Sequence, residues 1–158
     1  NLPSKYVFFN QYRRRWGVIK PGFDAEWFFK DFRAIATPCL VPNSIKWQFC
    51  HFHKEANYKI LKDAVLSLHP ECRKDWTKYI EESQVLYYSN GIGMKWSDFD
   101  DYCSFLFPIL DKIYNEGMRE PLMLGYMSER IYTFWLKWRI GDGKIFRVPY
   151  DRLENTLL

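Results

Sequence analysis

Three arginines in a row, Arg13-Arg14-Arg15, follow a short apolar stretch near the start of this chain. A guanidinium fork matches phosphate oxygens in a bidentate way, so such a run is suited to binding a phosphate group. In open α/β sheets, ligands collect beyond the carboxyl ends of strands. Residues 5–10 (Lys-Tyr-Val-Phe-Phe-Asn) read as a buried strand, and Gln11-Tyr12-Arg13-Arg14-Arg15 stands at its end. Three adjacent arginines cannot all face one ligand. Arg13 and Arg14 are the anion-binding candidates, and Arg15 is expected to be more exposed. The plain alternative is a solvated basic turn.

A second candidate is the run 86–102. Leu86-Tyr87-Tyr88 lead in as a strand, and Asn90-Gly91 and Gly93 then break it. Those residue types tolerate positive φ and close backbone approach. Ser97-Asp98 is expected to cap an amphipathic helix over residues 98–113. Strand, small polar break and capped helix is how an α/β enzyme presents backbone to a ligand; a hairpin turn before a core helix is the alternative. A third candidate is Ser128-Glu129-Arg130, at the start of a helix expected over 127–138. Glu129 there either complements the helix dipole or serves as a general base beside a hydroxyl.

Metal chemistry finds little support in the spacing. His51 and His53, at i and i+2, do not share a helix face, so one histidine near a pocket is the more that pair offers. Asp98, Asp100 and Asp101 are expected to cap a helix. Asp98-Phe99-Asp100 has the letters of a DxD metal motif on the wrong element, so no metal ligand is assigned. No GxGxxG, P-loop, HExxH or GxSxG occurs.

The elements that must position these residues follow from periodicity. Helices are expected over 24–35, 44–53 with Ser44 as N-cap, 57–68, and from Pro70 through 80. A short strand is expected at 39–41, a loop at 116–126, and a turn at Gly141-Asp142-Gly143 into a last strand over 144–148. Strands separated by helices argue α/β. The 158 residues suit one domain, and 47% apolar with 20% aromatic residues supports a sizeable core. Aromatics at that level also offer stacking floors for sugars or bases. A net charge of +4 is mild for a nucleic-acid binder. Cys39, Cys50, Cys72 and Cys103 lack CxxC spacing and are expected to be reduced thiols in a cytoplasmic protein. No apolar run reaches membrane-spanning length and no signal peptide is visible.

Taken in order, five segments resemble a known family, the small bacterial and phage glycosyltransferases of capsular and exopolysaccharide synthesis, long classed as a domain of unknown function. The segments are Tyr6-Val7-Phe8-Phe9-Asn10-Gln11-Tyr12-Arg13-Arg14; Phe49 with His53; residues 60–70; Tyr87-Tyr88-Ser89-Asn90 with Tyr102-Cys103-Ser104-Phe105-Leu106-Phe107-Pro108-Ile109-Leu110; and Gly125-Tyr126-Met127-Ser128-Glu129-Arg130. The resemblance covers residues 5–150. Gln11 stands where the family has histidine.

The resemblance implies an α/β, helix-rich, GT-A-like nucleotide-sugar transferase fold that lacks the N-terminal β-α-β portion, with residues 1–158 a single domain or the C-terminal two-thirds of a larger one. It implies transfer of a sugar from a nucleotide-diphosphate donor to a hydroxyl acceptor in polysaccharide synthesis. Arg13 and Arg14 would bind the diphosphate. Asn90, Gly91, Tyr88 and His53 would bind sugar or acceptor, and Glu129 with Arg130 would carry catalysis. No cofactor beyond the nucleotide-sugar donor is implied with certainty; a divalent metal is compatible, although no strand-end DxD occurs. Two alternatives stand beside this reading: a phage transferase acting on hydroxylated DNA bases, and a non-catalytic carbohydrate- or nucleic-acid-binding module.

Overall fold

The computed structural model describes residues 5–10, 14–15, 19–149 and 151–152, with the backbone alone for residues 10, 14, 15, 89, 90, 151 and 152. Four strands form one sheet in the order β1 (Tyr6–Asn10), β4 (Val85–Lys95), β3 (Ala34–Leu40), β5 (Ile145–Arg147). Both β1 and β3 run antiparallel to β4, and β5 runs parallel to β3. A separate pair joins β2 (Arg14–Arg15) to β6 (Asp151–Arg152).

The sheet is covered on both faces, as alternation along β3 dictates. Ala34 and Ala36 point into a large core; Ile35 points the other way, onto Phe28, Phe29 and Val148. The large core is filled by α2 (Ile45–His53), α3 (Glu55–Leu68), α5 (Trp96–Asn115) and α6 (Pro121–Trp135). The small one lies under α1 (Ala25–Asp31). Between α3 and β4 the chain makes a 3-10 turn at Pro70–Cys72, the short α4 (Arg73–Trp76) and a π turn at Thr77–Glu81. Another π turn, Leu136–Ile140, extends α6. Among the described residues no helix is long and apolar enough to cross a membrane.

Several boundaries fall as expected. Ser44 caps α2, its Oγ accepting from the Trp47 amide at 3.1 Å. Others shift for identifiable reasons. The helix expected over 24–35 ends at Asp31, and β3 begins at Ala34 in place of a short strand at 39–41. Pro38 lies inside this strand. It is tolerated because β5 pairs with β3 only over Ala34, Ile35 and Ala36, which leaves Pro38 on a free edge. The loop expected over 116–126 is shorter, because Pro121 opens α6 with its fixed φ. The helix after β4 starts at Trp96, and Lys95 is its cap residue with no side-chain cap bond. Asp98 is in the first turn as expected, but it accepts from Arg33 Nη2 at 2.5 Å rather than from the helix backbone.

The break expected at Asn90-Gly91 does not end the strand; β4 runs through it as a bulge. Ala36 pairs with Ile92 and Pro38 with Tyr87, so residues 88–91 stand opposite the single residue Thr37. Bulges re-aim side chains and recur beside active sites.

Candidate active site

Arg130 is the anchor of the candidate site. It lies in the body of α6, not at a helix start as expected, and it is 2% exposed. Its Nη1 donates to the Tyr126 carbonyl and to Glu129 Oε2, each at 3.0 Å. Its Nη2 donates to Gln48 Oε1 on α2, and the guanidinium lies 5.1 Å from the centre of the Phe49 ring. Burial pulls the Arg130 pKa below its ordinary value, and the Glu129 carboxylate opposes that pull. Arg130 Nε is buried and has no hydrogen-bond partner among the described residues. A buried donor without a partner is costly, which sets this atom apart from the other guanidinium nitrogens.

Three further predicted residues gather around this arginine. Glu129 is its ion-pair partner and keeps 20% of its side chain exposed. The dipole reading of Glu129 falls, because the residue sits two turns inside α6. His53, the last residue of α2, stacks on Tyr126 with ring centres 4.2 Å apart. Burial and then the nearby Arg130 charge lower the His53 pKa, which keeps the imidazole neutral at pH 7. Tyr88, the first residue of the bulge, contributes electrostatically to the Arg130 titration and is therefore its neighbour.

The backbone brings Asn90 and Gly91 to the end of the sheet where β1 stops. Asn90 and Gly91 belong to the bulge, and Gly91 pairs with Asn10, the last residue of β1. Arg13 lies outside the described residues, and Arg14 is described as backbone in β2. Arg13 is three residues beyond Asn10, a span of at most about 11 Å of extended chain.

Reading the sequence missed Gln48, Phe49 and Tyr126 as site residues. Phe49 and Tyr126 stand in the family-like segments without an assigned role, and Gln48 is marked only as a polar residue between Trp47 and Phe49. The backbone beside His53 is also unusual: Lys54 has φ 68° and ψ 146°, a conformation that favours glycine. Asn57 Nδ2 holds the His53 carbonyl at 2.7 Å across this kink. Strained residues of this kind cluster at functional sites.

The carboxylates of the DxD-like string do not converge. Asp98 is held by Arg33, whereas Asp101 accepts from Trp135 Nε1 at 3.0 Å and lies 3.8 Å from Arg139. Among the described residues no three His, Cys, Asp or Glu side chains are placed to hold a metal ion. A separate cleft of about 390 Å³ lies between α2 and α3, lined by Lys46, Lys59, Lys62 and Tyr58. Lys59 and Lys62 are already matched by Asp63 and Glu81, so the cleft is close to neutral.

The architecture is α/β and helix-rich, with a polar cluster where α2 and α6 meet a bulged strand. A solved structure of similar fold is the apo form of the bifunctional glycosyltransferase WbbM, with a TM-score of 0.72 and 21% sequence identity over 96% of this chain and 34% of that one. The present chain thus spans about a third of the length of WbbM. Residues 1–139 match the domain of unknown function DUF4422, and the chain belongs to that family. No curated protein sequence matches it.

Proposed function

We propose that this domain is a glycosyltransferase with a GT-A-like fold, which moves a sugar from a nucleoside-diphosphate donor to a hydroxyl of a glycan acceptor in polysaccharide synthesis. The observation that carries the reading is Arg130: a buried guanidinium with an unpaired Nε, paired to a partly exposed carboxylate and set beside a bulge where β1 ends. The fold it shares with WbbM supports the same class.

In this reading Arg13 and Arg14 neutralise the diphosphate as it leaves, where charge develops in the transition state. Tyr88, Asn90 and Gly91 line the transferred sugar, and His53 faces the acceptor. The Glu129 carboxylate takes the proton of the attacking hydroxyl, or holds that hydroxyl, and Arg130 fixes the carboxylate's position. The bond from the anomeric carbon to the acceptor oxygen forms, and the bond to the phosphate oxygen breaks with its electron pair on the diphosphate. The diphosphate charge is assigned to Arg13 and Arg14, and a divalent cation bound through the donor's own phosphates is compatible with this reading.

The test is release of nucleoside diphosphate from a panel of UDP-, GDP- and dTDP-sugars. Glu129→Gln keeps the shape and removes the basicity. Turnover should fall by on the order of 100-fold or more while folding and donor binding hold. Arg13→Ala should weaken donor binding by about 1.5 to 3 kcal/mol, the range for a charge-assisted phosphate bond. No turnover of any donor by the unaltered protein would leave a binding module instead, and an unaffected Glu129→Gln would move the base elsewhere.

A further inference from the structure

We infer that the outer edge of α2 is an acceptor subsite, where Trp47 and Phe52 stack sugar rings of a glycan chain whose end lies at Arg130. Its direction toward Arg130 rests on the transferase reading; the binding surface itself does not.

Both rings are kept in water, Trp47 at 41% and Phe52 at 65% exposure. They are held in place by an unbroken run of ring contacts. Trp47 stacks on His51 at 4.8 Å with planes 9° apart, which braces one face of the indole. His51 meets Phe52 edge-on at 4.9 Å, and Phe52 lies 6.5 Å from His53, which stacks on Tyr126. The run therefore ends at the residue whose carbonyl receives Arg130 Nη1. Helix geometry reaches the same place: Gln48 and Phe52 are four apart and share a face, and Gln48 Oε1 accepts from Arg130 Nη2. Phe52 stands one turn from that bond, at the rim of the site.

The chemistry of the strip fits a sugar better than an apolar partner. A pyranose has a face of C–H groups, which meets the negative face of an aromatic ring, and a rim of hydroxyls. Imidazoles and the Gln48 amide among the rings offer both donors and acceptors to such a rim. An imidazole lies between the two exposed rings, so polar and apolar groups alternate along the strip. Trp47 and Phe52 lie five positions apart, about 7.5 Å along the helix axis and roughly 140° around it, so a glycan that meets both crosses the outer side of α2 over His51.

The experiment is binding to a printed array of bacterial surface polysaccharides and their oligosaccharides, followed by titration of the retained ones. The unaltered protein should retain at least one glycan. Trp47→Ala and Phe52→Ala should each weaken it about tenfold or more. Trp27→Ala removes an equally exposed ring on α1 and should leave the affinity unchanged. Unaltered thermal unfolding of the variants would show that the loss is local. The inference is overturned if no glycan is retained, if the α2 variants bind as the unaltered protein does, or if they abolish a concentration-dependent dimer instead. Glycan binding through Phe52 without turnover of any donor would keep the subsite and sink the transferase reading. Turnover without glycan loss in the variants would do the reverse.

Discussion

At the scale of single residues, the structure separates two kinds of buried charge. Arg130 has partners on three sides, yet one donor is left over inside the candidate site. Lys137 is buried to 4% exposure, and its Nζ donates to Ser83 Oγ at 2.5 Å. Burial pushes the Lys137 pKa from its ordinary 10.5 down to about 8, a shift that the charge of Asp142 partly opposes. A lowered lysine pKa means that the fold prefers the neutral amine. Stability is therefore lost as pH falls through 8 and is regained as pH rises toward 10.5. The shift corresponds to on the order of 3 kcal/mol. Lys137→Met keeps the stem and removes the charge. Denaturant unfolding at pH 7 and pH 10.5 should show the variant's stability relative to the unaltered lysine falling by that order between the two. A difference that stays constant with pH would mean that the amine is solvated or paired in the fold.

At the scale of elements, the bulge in β4 and the kink between α2 and α3 bring the candidate residues together. Neither was legible as such. Asn90-Gly91 signalled a break, but whether a strand stops or bulges there depends on what it pairs with, and the partner β3 was itself misread as a helix end. The α2–α3 kink has no glycine to mark it, since Lys54 occupies the positive-φ position. What was legible was the helical periodicity of α3 and α5 and the Ser44 cap, because those signals are local. Glu129, Arg130, His53 and Tyr88 are named by the order of the family-like segments, not by any distance that the sequence carries. Two substitutions test the elements. At position 54, glycine should be more stable than alanine by about 1 kcal/mol, since only the alanine carries a Cβ at φ 68°; equal stabilities would mean that the kink relaxes. Close packing makes the other. A Cβ on Gly93 would lie 3.1 Å from Phe8 Cδ1 and 3.2 Å from Ile35 Cβ, squeezed between the strands on either side. Gly93→Ala should destabilise by about 1 to 3 kcal/mol, read as a lower denaturant midpoint.

At the scale of the whole molecule, the sheet joins two cores that share β3. The large core holds Phe49, Ile131 and Trp135, and the small one holds Phe28, Phe29 and Val148, with Ile35 reaching it from the strand whose neighbours Ala34 and Ala36 face the other way. Composition had indicated enough apolar mass for one core, but not that a central strand would divide it, because Ala34-Ile35-Ala36 is apolar on both faces and carries no alternating pattern to read. A strand buried on both sides cannot lose one layer without exposing the other. The two cores should therefore unfold together. Phe29→Ala in the small core and Ile131→Ala in the large one should each lower stability by about 2 to 5 kcal/mol. Both should shift one and the same transition, seen alike by far-ultraviolet and near-ultraviolet circular dichroism. If Phe29→Ala melts a first step while the signal from the large core stays native, the layer under α1 is a separately stable unit, and the shared strand does not couple the two.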